Sequence, residues 1–504
     1  MFGTHVTSLS RRGPGRPGIG AVFGAIVALL LLPRPGAGQL QINRELRSAL
    51  AARPHAEVRL GACVIDLATG QTVFAENPEM PLTPASSMKL FVMATALSEL
   101  GPDFAFETIF ATDGTNLVVV GDGDPATGDE KLHQHRGESI TADFEHWATI
   151  LLDNGVSAIP GDLVIDESIF DDQWVHPSWE EGDLDNWYAA PVGGLNFNDN
   201  CIDITVSPSA RRDTPALVAF QPETTLVRII NKCRSGGEGT PVVHHPPGTF
   251  EYVISGRCSK RWPFGSVSFP DPGLLFADSL RTVLANRGIK VAGTIRRKRL
   301  RLPDGGLPPS LTVLARRTTS LSDVLRRIGK DSQNLFAECL LKRSGYVWAR
   351  RHGVLDPQGS WSLGRQAVLA FMQRADIDTD GLVVADGSGL SRDNACTAGQ
   401  LASLLTWAHE QGKGRLLYEG LSVAGVDGSL RERLKDIPGR VHAKTGTMRG
   451  VRTLAGYVDA EAGPRYAFAV LFNGYKGPST PYKQIQDRIC RVLAGSLTPR
   501  PGSE

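Results

Sequence analysis

The stretch Pro84-Ala85-Ser86-Ser87-Met88-Lys89-Leu90 decides how the rest of the chain is interpreted. It predicts the start of a helix, because Thr83 can cap it, a proline suits the first turn, and an apolar run continues to a stop signal at Gly101-Pro102. The run is apolar nearly all round, so we expect this helix to be buried. A spacing of three places Ser86 and Lys89 side by side on one helical face.

Two more short motifs follow along the chain. Ser332-Gln333-Asn334 comes after a predicted helix that Ser320 and Asp323 can cap, and Lys444-Thr445-Gly446-Thr447 lies in a strand-like stretch. Alone, each motif is a weak signal, and Ser86 by itself would be an ordinary serine at a helix start. Ser-x-x-Lys, Ser-x-Asn and Lys-Thr-Gly in this order are hard to obtain by accident.

These residue types favour nucleophilic catalysis. A serine hydroxyl is a poor nucleophile until a neighbouring base takes its proton. A lysine can be that base only where its neutral form is accessible, which burial and a second cation both favour. We therefore predict Ser86 as nucleophile, Lys89 as its base, Lys444 as the second cation and Ser332 as a proton bridge to the leaving amine.

No metal or organic cofactor is expected. The histidines at 133, 135, 244 and 245 occur in polar or proline-flanked stretches, and we interpret both pairs as surface loops rather than metal ligands. The seven cysteines show no Cys-x-x-Cys spacing suited to zinc or redox chemistry. Cys201, Cys233 and Cys258 lie close enough in sequence to suggest one disulfide bridge, whose pairing the spacing does not settle.

With these motifs the chain resembles the penicillin-recognising serine enzymes. Among them it is similar to the low-molecular-weight class C penicillin-binding proteins, the D-alanyl-D-alanine carboxypeptidase/endopeptidase group called peptidase family S13 or DacB-like. The resemblance covers nearly all of the mature chain. Besides the three motifs it rests on Gly121 to Pro125, Tyr188 to Pro191, Leu195-Asn196, Asn200, Asp331 to Glu338, Asp386 to Arg392 and Ala443 to Thr447.

The resemblance implies roles for the site residues. The backbone N–H groups of Ser86 and Thr447 would stabilise the charge that develops on the scissile carbonyl oxygen. Lys444 and Thr445, with Gly446 and Thr447 in the same substrate-binding motif, would hold the terminal carboxylate of the substrate. Asn334 would bond the amide before the scissile bond. The acylation base of related enzymes is disputed, so the role of Lys89 is more open than its place in the site.

The resemblance also implies the activity. We expect an exported serine DD-peptidase that releases terminal D-alanine from peptidoglycan peptide stems, cleaves D-alanyl cross-links, or does both. Penicillins and other β-lactam antibiotics should acylate the same serine. Two alternatives remain. A serine β-lactamase shares the motifs, but the long separation of Ser86 from Ser332 argues against it, and the intact motif set argues against a non-catalytic wall-binding scaffold.

The resemblance implies an α/β (α+β) fold with an antiparallel sheet flanked by helices, and the hydrophobic pattern is consistent with it. Alternation from Val58 to Phe74 predicts a hairpin, and Val451 to Val458 and Arg465 to Phe472 predict neighbouring strands before a closing helix, Tyr482 to Leu493. We expect a discontinuous catalytic domain at 39–112 and 316–497. Residues 113–315, with short strand-like pieces, are expected to form two inserted β-rich domains, and 498–504 a tail.

The first 38 residues are predicted to be an export signal. Arg11, Arg12 and Arg16 precede an uncharged stretch from Gly18 to Leu32, and small residues follow. A retained anchor is the alternative, but the stretch is shorter than the roughly 20 residues that a membrane-spanning helix needs. The expected location is therefore the periplasm or cell envelope.

The balance of positive and negative residues argues against some classes of binding partner. The 504 residues include 54 Lys plus Arg and 53 Asp plus Glu, a formal net charge of +1. Such a balance gives no long-range field to capture nucleic acid, and it leaves at most a peripheral contact with a membrane. The basic run from Arg296 to Arg301 is interpreted as a solvated strand edge rather than a site for an anionic polymer.

Overall fold

The structure, a computed structural model, describes residues 37–246, 248–412 and 414–495. The predicted signal segment lies outside these residues except for its last two positions, and so does the predicted tail. Within the described part of the chain, none of the helices combines the length and apolar character needed to cross a bilayer.

The helices are distributed along the whole described chain. In chain order they are α1 (Ala37–Ala51), α2 (Lys89–Glu99), α3 (Glu130–Arg136), α4 (Ala142–Asp153), α5 (Pro272–Asn286), α6 (Leu321–Lys330), α7 (Asn334–Arg351), α8 (Trp361–Arg374), α9 (Ala398–Glu410), α10 (Arg415–Gly420) and α11 (Thr480–Gly495). Short 3-10 turns occur at Ala85–Met88, Glu181–Asp183, Trp187–Ala189, Asn198–Asn200 and Gly428–Leu430.

The strands alternate with these helices. In chain order they are β1 (Arg59–Asp66), β2 (Gln71–Glu76), β3 (Ala105–Thr112), β4 (Leu117–Val120), β5 (Ala158–Ile159), β6 (Leu163–Asp166), β7 (Cys201–Ser207), β8 (Leu217–Gln221), β9 (Arg228–Asn231), β10 (Arg234–Ser235), β11 (Pro241–His244), β12 (Glu251–Cys258), β13 (Trp262–Ser268), β14 (Lys290–Val291), β15 (Ile295–Arg297), β16 (Thr312–Ser320), β17 (Ser422–Val423), β18 (Val441–Met448), β19 (Val451–Ala460) and β20 (Gly463–Asn473).

A six-stranded antiparallel sheet joins the two ends of the chain, in the order β17-β18-β19-β20-β1-β2. The predicted hairpin, the two late strands and the closing helix are confirmed as β1–β2, β19–β20 and α11. One face of the sheet packs against α9, with α2, α7 and α8 in the same core. The opposite face packs against α1 and α11. The predicted α/β fold with helices on both sides of an antiparallel sheet is therefore confirmed.

The stretch between the Ser-x-x-Lys and Ser-x-Asn motifs builds further sheets. The largest is five-stranded, in the order β15-β6-β4-β3-β16, so β3 and β16, which lie at the two ends of this stretch, pair with one another. Smaller sheets are β13-β7-β8, β10-β12-β11 with β9, and β5-β14. We call residues 113–315 the inserted region; its division into two domains stays a prediction.

The description of the inserted region as β-rich was incomplete, because α3, α4 and α5 also lie in it. The helix α4 buries Phe144, Trp147, Ala148 and Leu151, which recur at helical spacing and pack against α5. This pattern was hidden in the sequence by the frequent Gly, Pro and Asp residues on either side of it.

The basic run begins on an edge strand, as predicted, since Arg296 and Arg297 lie on β15, which ends the five-stranded sheet; its other members follow the strand. Its charges are compensated by carboxylates: Arg296 contacts Asp162 at 2.8 Å, and Arg297 contacts Glu167 at 2.8 Å. The run is therefore a neutralised edge rather than an unpaired basic patch.

Two expectations, one about the cysteines and one about the histidines, were wrong. All seven cysteines are buried free thiols, so the expected bridge among Cys201, Cys233 and Cys258 is not formed; the Cys258 thiol donates instead to the Lys260 carbonyl oxygen at 2.9 Å. The histidine pairs are not both surface loops. His133 is buried on α3, and His245 is buried with Nε2 at 2.7 Å from the Thr249 carbonyl oxygen.

Candidate active site

Ser86 lies in a 3-10 turn, Ala85–Met88, that leads directly into α2. The predicted buried helix is confirmed, but Thr83 does not cap it. Its backbone N–H donates to Asn473 Oδ1 at 2.8 Å and its carbonyl oxygen accepts from Asn473 Nδ2 at 3.1 Å. Thr83 therefore ties the entry of the turn to the end of β20 instead of closing the helix.

The strand that carries Lys-Thr-Gly lies against this turn, and Gly446 makes the approach possible. A Cβ atom at Gly446 would lie 2.1 Å from Thr453 Oγ1 and 3.1 Å from the Ser86 backbone nitrogen. Thr453, on β19, also donates to the Pro84 carbonyl oxygen at 2.9 Å. A side chain at position 446 would push β18 away from Ser86, so the glycine brings two predicted motifs together.

Lys89 is fully buried and its ammonium group has three oxygen partners. Nζ lies 3.2 Å from Ser86 Oγ, 2.7 Å from Asn334 Oδ1 and 2.7 Å from the Ser388 carbonyl oxygen. The predicted contact between the serine and the lysine of Ser-x-x-Lys is present. Burial lowers the pKa of Lys89 to about 7, although the carboxylates of Glu338 and Asp386 act in the opposite direction.

Lys444 is the second fully buried lysine. Nζ donates to Ser332 Oγ at 2.8 Å and to the Thr445 carbonyl oxygen at 2.9 Å. Burial, followed by the charge of Lys89, lowers the pKa of Lys444 well below its usual value. Each lysine therefore contacts one of the two predicted serines, and the charge of Lys89 acts on Lys444.

Ser332 and Asn334 face Ser86 across the cleft. Ser332 has a left-handed backbone with φ of 61°, which is strained for a residue with a side chain. The Asn334 amide is engaged at both ends, because Oδ1 accepts from Lys89 and Nδ2 donates to the Tyr188 carbonyl oxygen at 2.7 Å. Its predicted bond to the substrate amide stays a prediction.

The hydroxyls of Thr445 and Thr447 also have partners. Thr445 Oγ1 donates to Ser429 Oγ at 2.8 Å, and the guanidinium of Arg452 donates to Thr447 Oγ1. Ser86, Ser332, Asn334 and Thr447 all line one cavity of about 430 Å³. Lys444 reaches this cavity through its contact with Ser332.

The other walls of the cavity come from the inserted region and from the loop after Asp386. They are lined by Glu180, Asp183, Trp187, Tyr188, Gly389, Leu390 and Arg392, together with Met448 and Arg449 at the end of β18. The prediction that Asp386 to Arg392 forms a turn beside the site is confirmed.

Two buried carboxylates were missed as site residues. Glu338 accepts from the backbone N–H groups of Gly387 and Ser388 at 2.8 and 2.7 Å, and Asp386 accepts from those of Gly389 and Ser391 at 2.8 and 2.7 Å. Together they shape the loop whose carbonyl oxygen binds Lys89. A sequence signal existed for Glu338, since it lies four residues after Asn334 on the same face of a largely apolar helix.

The Asp386 carboxylate also acts on the ionisation of Glu338. Burial, and then the charge of Asp386, raises the pKa of Glu338 to about 7. The interior behind the cleft therefore holds two carboxylates, Glu338 and Asp386, as well as the two lysines.

Comparisons with known proteins identify the family of this chain. The model of the D-Ala-D-Ala carboxypeptidase 3 (S13) family matches residues 42–495. A D-alanyl-D-alanine carboxypeptidase of Actinomadura sp. (strain R39) is 31% identical over 464 residues, 86% of this chain and 81% of that protein. The D-alanyl-D-alanine carboxypeptidase DacB of Haemophilus influenzae is 27% identical, over 80% of this chain and 83% of that one.

A solved structure shows the same fold. The crystal structure of penicillin binding protein 4 (dacB) from Haemophilus influenzae superposes with a TM-score of 0.73, at 24% sequence identity, covering 89% of this chain and 99% of that chain. Such coverage means that the inserted region is included in the likeness, and not only the six-stranded sheet and its helices.

Proposed function

The chain belongs to the D-Ala-D-Ala carboxypeptidase 3 (S13) family and is a serine DD-peptidase; from this premise we propose which residues perform its reaction. Ser86 attacks the carbonyl carbon of a D-alanyl-D-alanine bond in a peptidoglycan stem peptide, a cross-link, or both. The observation that carries this proposal is the pair of contacts across one cleft: Lys89 Nζ at 3.2 Å from Ser86 Oγ, and Lys444 Nζ at 2.8 Å from Ser332 Oγ.

In the first step Lys89 accepts the Ser86 proton while Ser86 Oγ bonds to the carbonyl carbon. A pKa of about 7 leaves a substantial neutral fraction of Lys89 near neutral pH, which an ordinary lysine does not offer. The negative charge goes to the carbonyl oxygen. Backbone N–H groups of Ser86 and Thr447 are the proposed donors to that oxygen.

In the second step the carbon–nitrogen bond breaks and the leaving amine takes a proton. Ser332 is the proposed donor, because its hydroxyl oxygen accepts from Lys444 and its own hydrogen is free to point into the cleft. The proton that Lys89 took from Ser86 is proposed to replace the one that Ser332 gave, so that Lys89 is again neutral and Ser332 is again a hydroxyl. Water then hydrolyses the Ser86 ester with the same groups acting in reverse.

The substrate's terminal carboxylate is proposed to bind at Thr445 and Thr447, with Lys444 behind them. Both threonine hydroxyls lie on the strand that forms one wall of the site. A charge-assisted bond from Thr445 to a carboxylate would be stronger than its present neutral bond to Ser429. Asn334 and Gly446 complete this set, the first towards the peptide amide and the second by keeping β18 close to Ser86.

Three further assignments extend the proposal. We infer that β-lactam antibiotics acylate Ser86, that peptidoglycan peptide stems are the partner in the cell, and that the enzyme works outside the cytoplasm, in the periplasm or cell envelope. Relatives named for DD-carboxypeptidase activity and for penicillin binding support these assignments.

The decisive experiment follows both the ester and the product. Purified protein is incubated with a labelled penicillin and with a peptide that ends in D-Ala-D-Ala. We expect a long-lived adduct and release of D-alanine, both lost in Ser86→Ala. Ser98→Ala, which changes another serine on the same helical segment, is the matched control and should retain both.

The other outcomes distinguish the alternatives. Rapid turnover of penicillin without a lasting adduct would indicate a β-lactamase. A protein that neither binds the label nor releases D-alanine would indicate a wall-binding scaffold. Label retained on Ser86→Ala would mean that another residue is the nucleophile.

A further inference from the structure

The middle residue of the Ser-x-Asn motif connects the active site to the inserted region. Gln333 is buried, and its side-chain amide is used at both ends. Oε1 accepts from the Asn334 backbone N–H at 2.8 Å, and Nε2 donates to Asp199 Oδ2 at 2.7 Å. Gln333 is thus both the cap of α7 and a bridge to a residue 134 positions away in sequence.

Asp199 lies in an unusual turn. Asn198, Asp199 and Asn200 all have left-handed backbones, with φ of 51°, 53° and 56°. Such a run is unfavourable for residues with side chains, so other contacts must hold it. They are present: the Asn198 backbone N–H donates to the Thr127 carbonyl oxygen at 3.0 Å, and Asn200 Nδ2 donates to the Pro191 carbonyl oxygen at 2.7 Å.

Charged groups surround the same point. Arg327, on α6, lies 2.6 Å from Asp129 and 3.7 Å from Asp199, and its other terminal nitrogen lies 2.7 Å from Asp331. Lys131 contacts Asp331 from the outside at 2.5 Å. Two carboxylates of the inserted region and the residue just before Ser332 therefore share one buried guanidinium.

The turn that this cluster holds is the one that carries Ser332. Ser332 has a φ of 61°, a conformation that persists only where surrounding contacts determine it. The residues on both sides of it are fixed from elsewhere: Asp331 by Arg327, and Gln333 by Asp199. The inserted region contacts the motif a second time through the Tyr188 carbonyl oxygen, which accepts from Asn334 Nδ2 at 2.7 Å.

We propose that Asp199 is a positioning residue of the reaction: through Gln333 it holds the Ser332–Asn334 turn in the conformation that acylation uses. This inference rests on the function proposed above. It gives the inserted region an indirect part in catalysis, without any contact between Asp199 and the substrate. It also explains why a long amide stands between Ser332 and Asn334, since a shorter side chain there would not span the same gap.

The charges around Asp199 indicate that its carboxyl group contributes little to the stability of the fold. Burial and the neighbouring charge of Asp129 raise the pKa of Asp199 to about 8, although Arg327 opposes this shift. A carboxyl group so disfavoured as an anion is expected to contribute little to folding. Its removal should therefore affect acylation more than stability.

The experiment measures the second-order rate constant for acylation by a labelled penicillin, together with the melting temperature. Gln333→Leu keeps the volume and removes both hydrogen bonds, and Asp199→Ala removes the acceptor. Each is expected to acylate about tenfold more slowly with little change in melting temperature. Asp199→Asn keeps an acceptor oxygen for Gln333 and should recover most of the rate.

A double variant and a control sharpen the result. Gln333→Leu combined with Asp199→Ala should be no slower than either single variant, because both remove one connection. Asp278→Ala is the matched control: this acid is also buried in the inserted region, where Thr224 and Thr225 donate to it at 2.7 and 2.6 Å. It should lower the melting temperature while the folded enzyme acylates at the normal rate.

Two results would overturn the inference. If both single variants are acylated at the wild-type rate, Asp199 has no part in the reaction. The same conclusion follows if each loss of rate is accompanied by a proportionate loss of melting temperature. Failure of the proposed function is a different outcome, since the wild-type enzyme would then not be labelled at Ser86. If Gln333→Leu does not fold, the comparison of Asp199→Ala with Asp199→Asn decides alone.

Discussion

The two buried lysines of the cleft have the same side chain and the same complete burial, but different neighbours. Lys89 lies beside Glu338 and Asp386, whose charges oppose the loss of its proton. Lys444 has Ser332 and a carbonyl oxygen as hydrogen-bond partners, and the charge acting on its pKa is the like charge of Lys89. The negative charge on the Lys89 side is built in, whereas on the Lys444 side it must come from outside.

This difference assigns separate tasks to the two lysines. A lysine with fixed counter-charges can exchange a proton near neutral pH without leaving a buried charge unpaired. A lysine without them becomes favourable as a cation when an anion arrives, and a substrate carboxylate is such an anion. The comparison therefore predicts proton transfer at Lys89 and substrate recognition at Lys444.

The largest effect is expected from removing the proton acceptor. Lys89→Met should slow acylation of Ser86 by about 1,000-fold, a loss typical of a missing general base. The measurement is stopped-flow labelling by a penicillin. Lys342→Met is the control, because Lys342 is equally buried but binds Asp171 at 2.8 Å, and it should lose stability rather than rate. A Lys89→Met enzyme that acylates within tenfold of wild type would assign the base elsewhere.

A smaller and more selective effect is expected at the second lysine. Lys444→Met should reduce kcat/KM for a peptide ending in a free D-alanine carboxylate by about 100-fold, the size of loss seen when a preorganised charged donor is removed. The same peptide with an amidated end should lose much less. Equal losses on both peptides would show that Lys444 acts through Ser332 alone and not on the carboxylate.

The carboxylates beside Lys89 lead to a prediction about the pH dependence of the acylation rate. Glu338→Gln removes a carboxylate that raises the pKa of Lys89, so that pKa should fall below about 7. Because the neutral amine is the reactive form, the rising limb of acylation rate against pH should move to lower pH, by about one unit. A limb that stays in place or moves to higher pH would mean that Lys89 does not control it.

Much of the site could be predicted from the sequence, because its nucleophile, lysines and threonines lie in short motifs whose spacing fixes their faces. Ser86 and Lys89 are three apart on one helical turn, and Lys444 to Thr447 alternate along a strand. The hairpin β1–β2 and the strands β19 and β20 could also be predicted, because the alternation of apolar and polar residues is a local pattern.

What the sequence did not reveal depends on distant contacts. No local pattern connects Asp199 to Gln333, or shows that Thr83 is held by Asn473 rather than capping α2. The left-handed backbone of Ser332 is likewise set by neighbours from other parts of the chain. Buried carboxylates such as Asp386 look like turn residues until the loop they hold is folded around them.

The smallest effect is expected from Ser429, which contacts Thr445 on the Lys444 side of the cleft. Ser429 accepts a hydrogen bond of 2.8 Å from the Thr445 hydroxyl, and thereby directs that hydroxyl towards the 3-10 turn Gly428–Leu430. A neutral bond of this kind contributes about 1 kcal/mol, so Ser429→Ala should raise KM for the carboxylate-ended peptide by no more than about fivefold and leave kcat unchanged. Steady-state kinetics on the free and amidated peptides measures this, with Ser98→Ala as control. A fall in kcat on both peptides would instead place Ser429 with the proton-transfer groups, and the division of tasks between the two lysines would no longer hold.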